Sequence, residues 1–371
     1  GINKKIEELA TDGELYKTWN GNYDRKVVLA TPVAETSITI TGVVYVIDCG
    51  LVNESVYLPE IRANQLKKAN ISKANVKQRI GRAGRTQPGV AFHLYSDSEY
   101  LSFDDFDMPE FTKSNISQNL LQLLKMFKSM SKIKEFLNKL MDPPAENYIQ
   151  SAESDLINLK ALKNDKLTDL GFAMSKFPVD PQIARMIVFS KLYDCEEDIL
   201  ILSTMMSISN NLGDFFNKPN PFDDKQKKRI QSAKRKFQKK SGDHYTMINI
   251  YKSFKKIDKS RDSAMKWCFK NEIKYFKLRE VKLSLEKYKI ILNEINYQEK
   301  VTKYQKKEYN IMKAILSGFF MQVAYNNGYQ MIIFKINESG TVRNVKANFV
   351  VFGEYLIIDN PSLENVSPIP N

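Results

Sequence analysis

The spacing of apolar residues changes character along the chain. Between Val27 and Tyr95 they gather in short runs: Val27-Val28-Leu29-Ala30, Val43 to Asp48, and Val90 to Tyr95. Such runs, alternating with polar and helical stretches, predict buried strands of a parallel α/β sheet. Loops at the strand ends would then carry the binding surface, which puts Thr31, Thr36, Ser37 and Thr39 where ligands usually sit. Small hydroxyl residues in that loop also suit simple turn capping. Ahead of the first run, Ile2–Ala10 predicts a short helix, and Thr11–Asp24 a polar loop. Gly50–Ile71 is long for a strand-to-helix connection, and its alternating Leu51, Val56, Leu58 and Ile61 predict a protruding hairpin.

Beyond about Met108 the pattern turns helical. Leu120, Leu123, Leu124, Phe127, Met130, Ile133 and Phe136 trace one amphipathic stripe, broken by Met141-Asp142-Pro143-Pro144. Asp180-Pro181 reads as a cap and first-turn proline opening a helix to about Leu192. Glu196-Glu197-Asp198 favours the N-terminus of the next helix, Ile199–Ile208. Asp243 is placed to cap a helix to about Ile257, and Ser263 onward predicts further helix to about Leu292. From Phe319 the period shortens again. Phe319–Ala324, Tyr329–Ile336, Phe349–Phe352 and Tyr355–Ile358 predict a small antiparallel β domain, with turns at Asn326-Asn327-Gly328 and Ser339-Gly340.

Charge sharpens this picture. With 56 Lys+Arg against 43 Asp+Glu, the net charge is +13, which favours a polyanionic partner, nucleic acid first. Nine basic residues crowd Lys225–Lys240 with almost no apolar stripe, which predicts a solvated lysine face adding nonspecific affinity. Three scattered cysteines and two histidines make no zinc-ligand spacing or disulfide framework, so reduced thiols in a reducing compartment are expected. No stretch resembles a signal peptide or a membrane span, and no membrane partner is expected.

The chemistry concentrates in Gln78-Arg79-Ile80-Gly81-Arg82-Ala83-Gly84-Arg85. On a helix, Gln78, Arg82 and Arg85 fall at i, i+4 and i+7, one polar stripe with Arg79 beside it. No acid lies between Lys67 and Asp97 to neutralise it. Two guanidinium forks and an amide suit a multiply charged phosphate. The two glycines would let a nucleotide approach the backbone. An exposed basic helix end is the competing reading.

Ala30-Thr31-Pro32-Val33-Ala34-Glu35-Thr36-Ser37-Ile38-Thr39-Ile40 resembles the fifth motif of DEAH-box RNA helicases, and Gln78–Arg85, preceded by Ile71-Ser72-Lys73-Ala74, resembles their sixth. Met141–Pro144, Leu167–Gly171, Phe177–Pro181, Gly242-Asp243-His244, Trp267-Cys268 and Ser317–Ala324 resemble further motifs of that family, in its order. The resemblance covers the chain from about Arg25 onward, and is closest to helicases that remodel the spliceosome. It implies a multidomain fold: a partial second RecA-like domain (1–107, hairpin about 50–71), a winged helix (108–178), a helical ratchet domain (179–302) and an OB-like β-barrel (303–371).

That resemblance implies ATP-driven translocation on single-stranded RNA, with Gln78, Arg82 and Arg85 as catalytic residues at the γ-phosphate. Thr41 would join them at the nucleotide. Thr31, Ser37 and Thr39 would contact RNA, and Lys67, Lys68 and Lys73 would add phosphate contacts beside the hairpin. ATP and Mg²⁺ are the implied cofactors, held mainly by a first RecA-like domain. Neither its Gly-x-x-x-x-Gly-Lys-Thr/Ser loop nor Asp-Glu-Ala-His occurs in these 371 residues, so a C-terminal half, inactive alone, is expected. A glycine-patch activator and spliceosomal components are implied partners, with the nucleus as location and the cytoplasm as alternative. Pro32, Thr41, Lys113, Phe276 and Leu285 depart from the family's usual residues. A non-catalytic basic RNA-binding scaffold and a ribosome-biogenesis helicase are the alternatives.

Overall fold

The computed structural model describes residues 4–14, 17, 24–85, 87–220, 223–325, 335–336, 340 and 347–370. They form two compact units, residues 1–56 with 66–110, and residues 57–65 with 111–371.

The chain opens with α1 (Lys4–Thr11), the single turn α2 (Val33–Thr36), β1 (Tyr45–Asp48), β2 (Leu51–Leu58), β3 (Ala63–Asn70), α3 (Lys73–Ile80), β4 (Val90–His93) and α4 (Asp97–Leu101). β1 and β4 run parallel, from Tyr45 opposite Val90 to Asp48 opposite His93. The expected parallel pair is present, with α3 between its strands in sequence. The expected strand at Val27–Ala30 is not formed. Val27 and Leu29 are 84% and 96% exposed in irregular chain. A strand needs a neighbour's ladder, and β1 and β4 have each other while no described strand pairs with 27–30. The first unit's own core is small: Ile71, Val76 and Phe103, flanked by Val52, Tyr95 and Tyr100. Gly50 sits at φ +70°, where a Cβ would lie 2.6 Å from the Tyr95 ring.

β2 and β3 form the hairpin expected over Gly50–Ile71, but its tip does not protrude. Residues 57–65 belong to the second unit, where Tyr57 and Ala63 are buried. The Tyr148 hydroxyl donates to the Tyr57 carbonyl (2.8 Å), Arg62 Nε to Asp155 (2.7 Å) and Asn64 Nδ2 to Glu354 (2.6 Å). The polar residues at the tip, which favour water on the alternation pattern alone, have partners on two elements, α8 and β10.

The second unit continues with α5 (Glu110–Lys113), α6 (Ser117–Phe127), α7 (Met130–Leu137), α8 (Glu146–Asn158), β5 (Leu162–Lys163), β6 (Lys166–Leu167) and α9 (Asp169–Met174). Three helices followed by the antiparallel β5–β6 ribbon and α9 give a winged-helix arrangement. The single stripe read from Leu120 to Phe136 is two helices. Lys128 turns left-handed at φ 60°, and the Ser129 side chain accepts from Lys132 N to cap α7. Gly171 lies where a Cβ would come within 2.1 Å of the Ala161 carbonyl, so α9 packs closely on the ribbon's start.

Helices α10 (Pro181–Leu192), α11 (Glu196–Ile208), α12 (Asp224–Phe237), α13 (Asp243–Ile257), α14 (Arg261–Lys270), α15 (Tyr275–Asn293) and α16 (Lys307–Phe319) share one large core with α6 to α9. α10 starts on Pro181 as expected, though Asp180 makes no side-chain cap. In α11 every residue from Asp198 to Met206 is buried, so this helix is enclosed on all sides and central. Gly318 of α16 approaches α10 so closely that a Cβ would meet the Gln182 carbonyl at 2.1 Å. Asp243 does not cap α13 as expected; Gly242 holds that position at φ 107°, and Asp243 turns to the C-terminal strands. The helix expected from Ser263 to Leu292 is broken between Asn271 and Lys274.

The C-terminal strands are β7 (Val323–Tyr325), β8 (Lys335–Ile336), β9 (Phe349–Val351), β10 (Glu354–Ile357), β11 (Pro361–Glu364) and β12 (Ser367–Pro368). They lie in two sheets, an antiparallel β12–β9–β7 and a mixed β3–β10–β11–β8. No closed OB-like barrel is seen among the described residues, because β10 and β11 pair with β3 and β8 instead of closing on β9. Phe319 ends α16 and does not start a strand; Ile311, Met312, Ile315 and Phe319 keep a helical period into the core. The expected turns at 326–328 and 339, and the segment 329–334, lie outside the described residues.

Candidate functional site

The Ser72 side chain accepts from Asn75 N and starts α3, which carries Gln78 and Arg79. The helix stops at Ile80. Arg82 N bonds to the Arg79 carbonyl (3.1 Å) and Ala83 N to that of Ile80 (3.0 Å), so a tight turn replaces the helix. Arg82 and Arg85 therefore leave the i, i+4, i+7 stripe expected for them. Gly81 and Gly84 weaken helix continuation, the physical reason the stripe ends early. A Cβ on Gly84 would meet nothing within 4 Å, so the turn is open on that side.

The arginines have different surroundings. Arg79 is a structural clip. Its Nε donates to Glu35 on α2 (3.0 Å) and its Nη1 to Asp48 on β1 (2.7 Å), both acids being buried. Burial alone would lower its pKa, yet hydrogen bonds and charge from Asp48 and Glu35 hold it above the ordinary value. Glu35 also accepts from Asn75 Nδ2 (2.8 Å), and Asp48 from Gly50 N (3.0 Å) and the Tyr95 hydroxyl (3.2 Å). Burial, followed by the Asp48 charge, raises the Tyr95 phenol. Sequence reading missed this network, because Arg79's partners lie far upstream of the acid-free window.

Arg82 is half-buried, and its Nε and Nη1 are sequestered with no hydrogen-bond partner among the described residues. Buried guanidinium donors without acceptors are costly unless an anion completes them. Arg85 is exposed and donates from Nη1 to Thr39 Oγ1 (2.9 Å), joining the two motif segments. Gln78 is exposed on the last turn of α3.

The remaining expected site residues are spread around this centre. Thr31 accepts Ala34 N on its carbonyl (3.0 Å) at the start of α2, and Ser37 Oγ lies 3.4 Å from Thr36 Oγ1; both residues are exposed. Thr41 is tied by its backbone to the Thr11 carbonyl (2.9 Å), and among the described residues no hydrogen bond joins its side chain to the arginines. Lys67 faces Glu54 at 3.8 Å and Lys73 faces Asp105 at 3.0 Å, so both are partly neutralised, whereas Lys68 is exposed.

This donor set fits a phosphate anion, by Arg82's unsatisfied atoms and the nearby Arg85. It does not fit Mg²⁺: among the described residues no three His, Cys, Asp or Glu gather to hold a metal ion.

Comparison with known proteins finds three helicase-related segments. Residues 10–87 match the helicase conserved C-terminal domain, residues 152–179 the winged-helix helicase-associated domain (HA2), and residues 180–247 its ratchet-like part. The ATP-dependent RNA helicase DHX33 of Mus musculus is 36% identical over 252 residues, 67% of this chain and 34% of that protein. The chain thus spans about a third of that helicase's length. Three helicase-related segments thus stand in this order, in a chain 36% identical over 252 residues to a protein that is an ATP-dependent RNA helicase.

Proposed function

We propose that this chain supplies the phosphate-sensing half of an ATP-dependent RNA helicase. Arg82 and Arg85 act on the γ-phosphate, Gln78 orders the attacking water, and Thr41 lies at the edge of the nucleotide. Arg82 carries the reading, since two sequestered donors without acceptors call for an anion. Arginines so placed stabilise charge on the transferring phosphoryl group, an effect worth ~10³-fold or more in rate. ATP supplies that phosphoryl group, and its remaining ligands, with those of Mg²⁺, come from a first RecA-like domain.

Thr31, Ser37, Lys68 and, less directly, Lys67 and Lys73 face the RNA backbone, which gives largely sequence-independent binding to single strands. Thr39 couples the two sites, because its hydroxyl holds Arg85. The winged-helix (108–178), ratchet (179–302) and C-terminal (303–371) segments complete the RNA-facing body. The narrower assignment, spliceosome remodelling in the nucleus with a glycine-patch activator, rests on the motif resemblance alone. Ribosome biogenesis is its alternative.

In the longer protein, Arg82→Ala and Arg85→Ala should each lower RNA-stimulated ATPase by orders of magnitude. Melting temperature and nucleotide-free RNA binding should stay nearly unchanged. The 371-residue chain alone should show no turnover. Persistent ATPase in the mutants, with lost stability or RNA affinity, would make these arginines structural and end the proposal.

A further inference from the structure

Lys225–Lys240 was expected to be a solvated run with almost no apolar stripe. Instead α12 is an ordered amphipathic helix. Asp223 caps it through Gln226 N (2.8 Å), and Ile230, Ala233 and Phe237 are buried on one side. Phe237 packs on Trp267 of α14 at 5.6 Å between ring centroids. Two basic side chains hold its flank: Arg229 donates to Glu272 (3.0 Å) and Lys236 to Asn271 Oδ1 (2.7 Å). The helix is therefore fixed in rotation.

That rotation sets the outward face. At about 100° per residue, Lys225, Lys228 and Arg235 fall within about 80° of one another and opposite the buried stripe. All three are exposed, and none has an acidic partner among the described residues. Lys239 and Lys240 follow directly, also exposed and without an acid. The only acid in α12 is Asp224, which pairs with Lys227. Elsewhere in this unit some lysines do face acids, as in Lys134–Glu153, Lys282–Asp258 and Lys303–Asp194. Like charges set one or two turns apart on a helix repel, which destabilises it unless an anion lies across them.

We propose that the outward face of α12 is a second RNA-backbone contact, separate from the arginine turn and from the Thr31–Thr39 loop. Its donors are Lys225, Lys228 and Arg235, extended by Lys239 and Lys240. The partner is single-stranded RNA, engaged through its phosphates and without base preference, since a row of lysine point charges lacks the geometry to read bases. Lys225 and Arg235 are about 15 Å apart along the helix axis, so the row spans several consecutive phosphates.

This inference rests on the RNA reading above, and the test separates the two. The 371-residue chain binds a fluorescent oligo(U) RNA over a salt series, beside the triple variant Lys225→Gln, Lys228→Gln, Arg235→Gln. A charge-matched control carries Lys134→Gln, Lys139→Gln and Lys303→Gln, all of which are ion-paired. The α12 variant should bind at least about tenfold more weakly, with the log–log salt slope reduced by about 2, at ~0.7 per single-strand phosphate contact. The control should lose far less, and all three proteins should melt alike. Equal losses in both variants, or none in the α12 variant, would overturn the inference and leave the RNA reading standing. Failure of the parent chain to bind RNA would overturn both. Binding of anionic vesicles at the same face, with no change toward RNA, would also overturn it.

Discussion

Arg79 and Arg82 stand three residues apart in one motif, yet their environments assign them opposite work. Arg79 bridges two buried carboxylates, Glu35 and Asp48, and so ties α2 to β1 through α3. Removing it leaves both acids buried without their cation, a loss that typically costs about 3 kcal/mol or more. Arg79→Ala should therefore lower the stability of the first unit by that order, read by chemical denaturation. Arg82→Ala removes donors that have no acceptor among the described residues, and should cost under about 0.5 kcal/mol. If the two substitutions prove equally harmless, the Glu35–Arg79–Asp48 clip is not holding the fold. The motif's charge was legible in the sequence, but this division was not. It depends on partners 44 and 31 residues upstream, which no window around the motif contains.

At the scale of elements, legibility followed how local the cause is. α10 and α11 could be read almost to the residue, because Pro181 and Glu196-Glu197-Asp198 act within their own first turns. β1 and β4 could be read from their apolar runs. Val27–Ala30 had the same composition and formed no strand, since pairing is decided by a distant neighbour. α12 hid its stripe because Ile230, Ala233 and Phe237 are spaced among charges that dominate the composition. The motifs at Gly242–His244 and Ser317–Ala324 were visible as resemblance, while their work is packing. Gly318 lets α16 touch α10, and Asp243 holds Val366 N (3.1 Å). The uneven cores have a dynamic consequence. The first unit buries three apolar side chains in its own cluster, against a cluster running from Ile116 to Val351 in the second. Amide exchange should therefore be faster in β1, β4 and α3 than in α10 and α11. Equal protection would show that the small cluster is not what sets local stability.

At the scale of the molecule, the C-terminal strands return to the middle of the helical body and lock onto it. Gly242 leaves room for Ser367, whose hydroxyl would clash with a Cβ at 2.3 Å. Asn365 donates Nδ2 to the Asn210 carbonyl (2.6 Å) and accepts Leu212 N (3.0 Å). His244 completes the lock: it is fully buried, with Nδ1 2.8 Å from Ser367 Oγ and Nε2 without a partner among the described residues. Burial depresses its pKa to about 4, against about 6.5 in an unfolded chain. Between those values the unfolded state binds a proton that the native state refuses. The contribution of the neutral ring is therefore fully present above about pH 6.5 and is lost as pH falls toward 4. The slope is about 1.4 kcal/mol per pH unit at most, so about 3 kcal/mol in all. The second unit should thus melt at progressively lower temperature through this window. His244→Gln, which keeps a polar group for Ser367 and cannot titrate, should flatten that part of the profile. The comparison between parent and variant isolates His244, because every other titrating group is common to both. Parallel pH profiles for the two would mean that His244 is protonated alike in folded and unfolded chains, and that acid loosens this lock elsewhere.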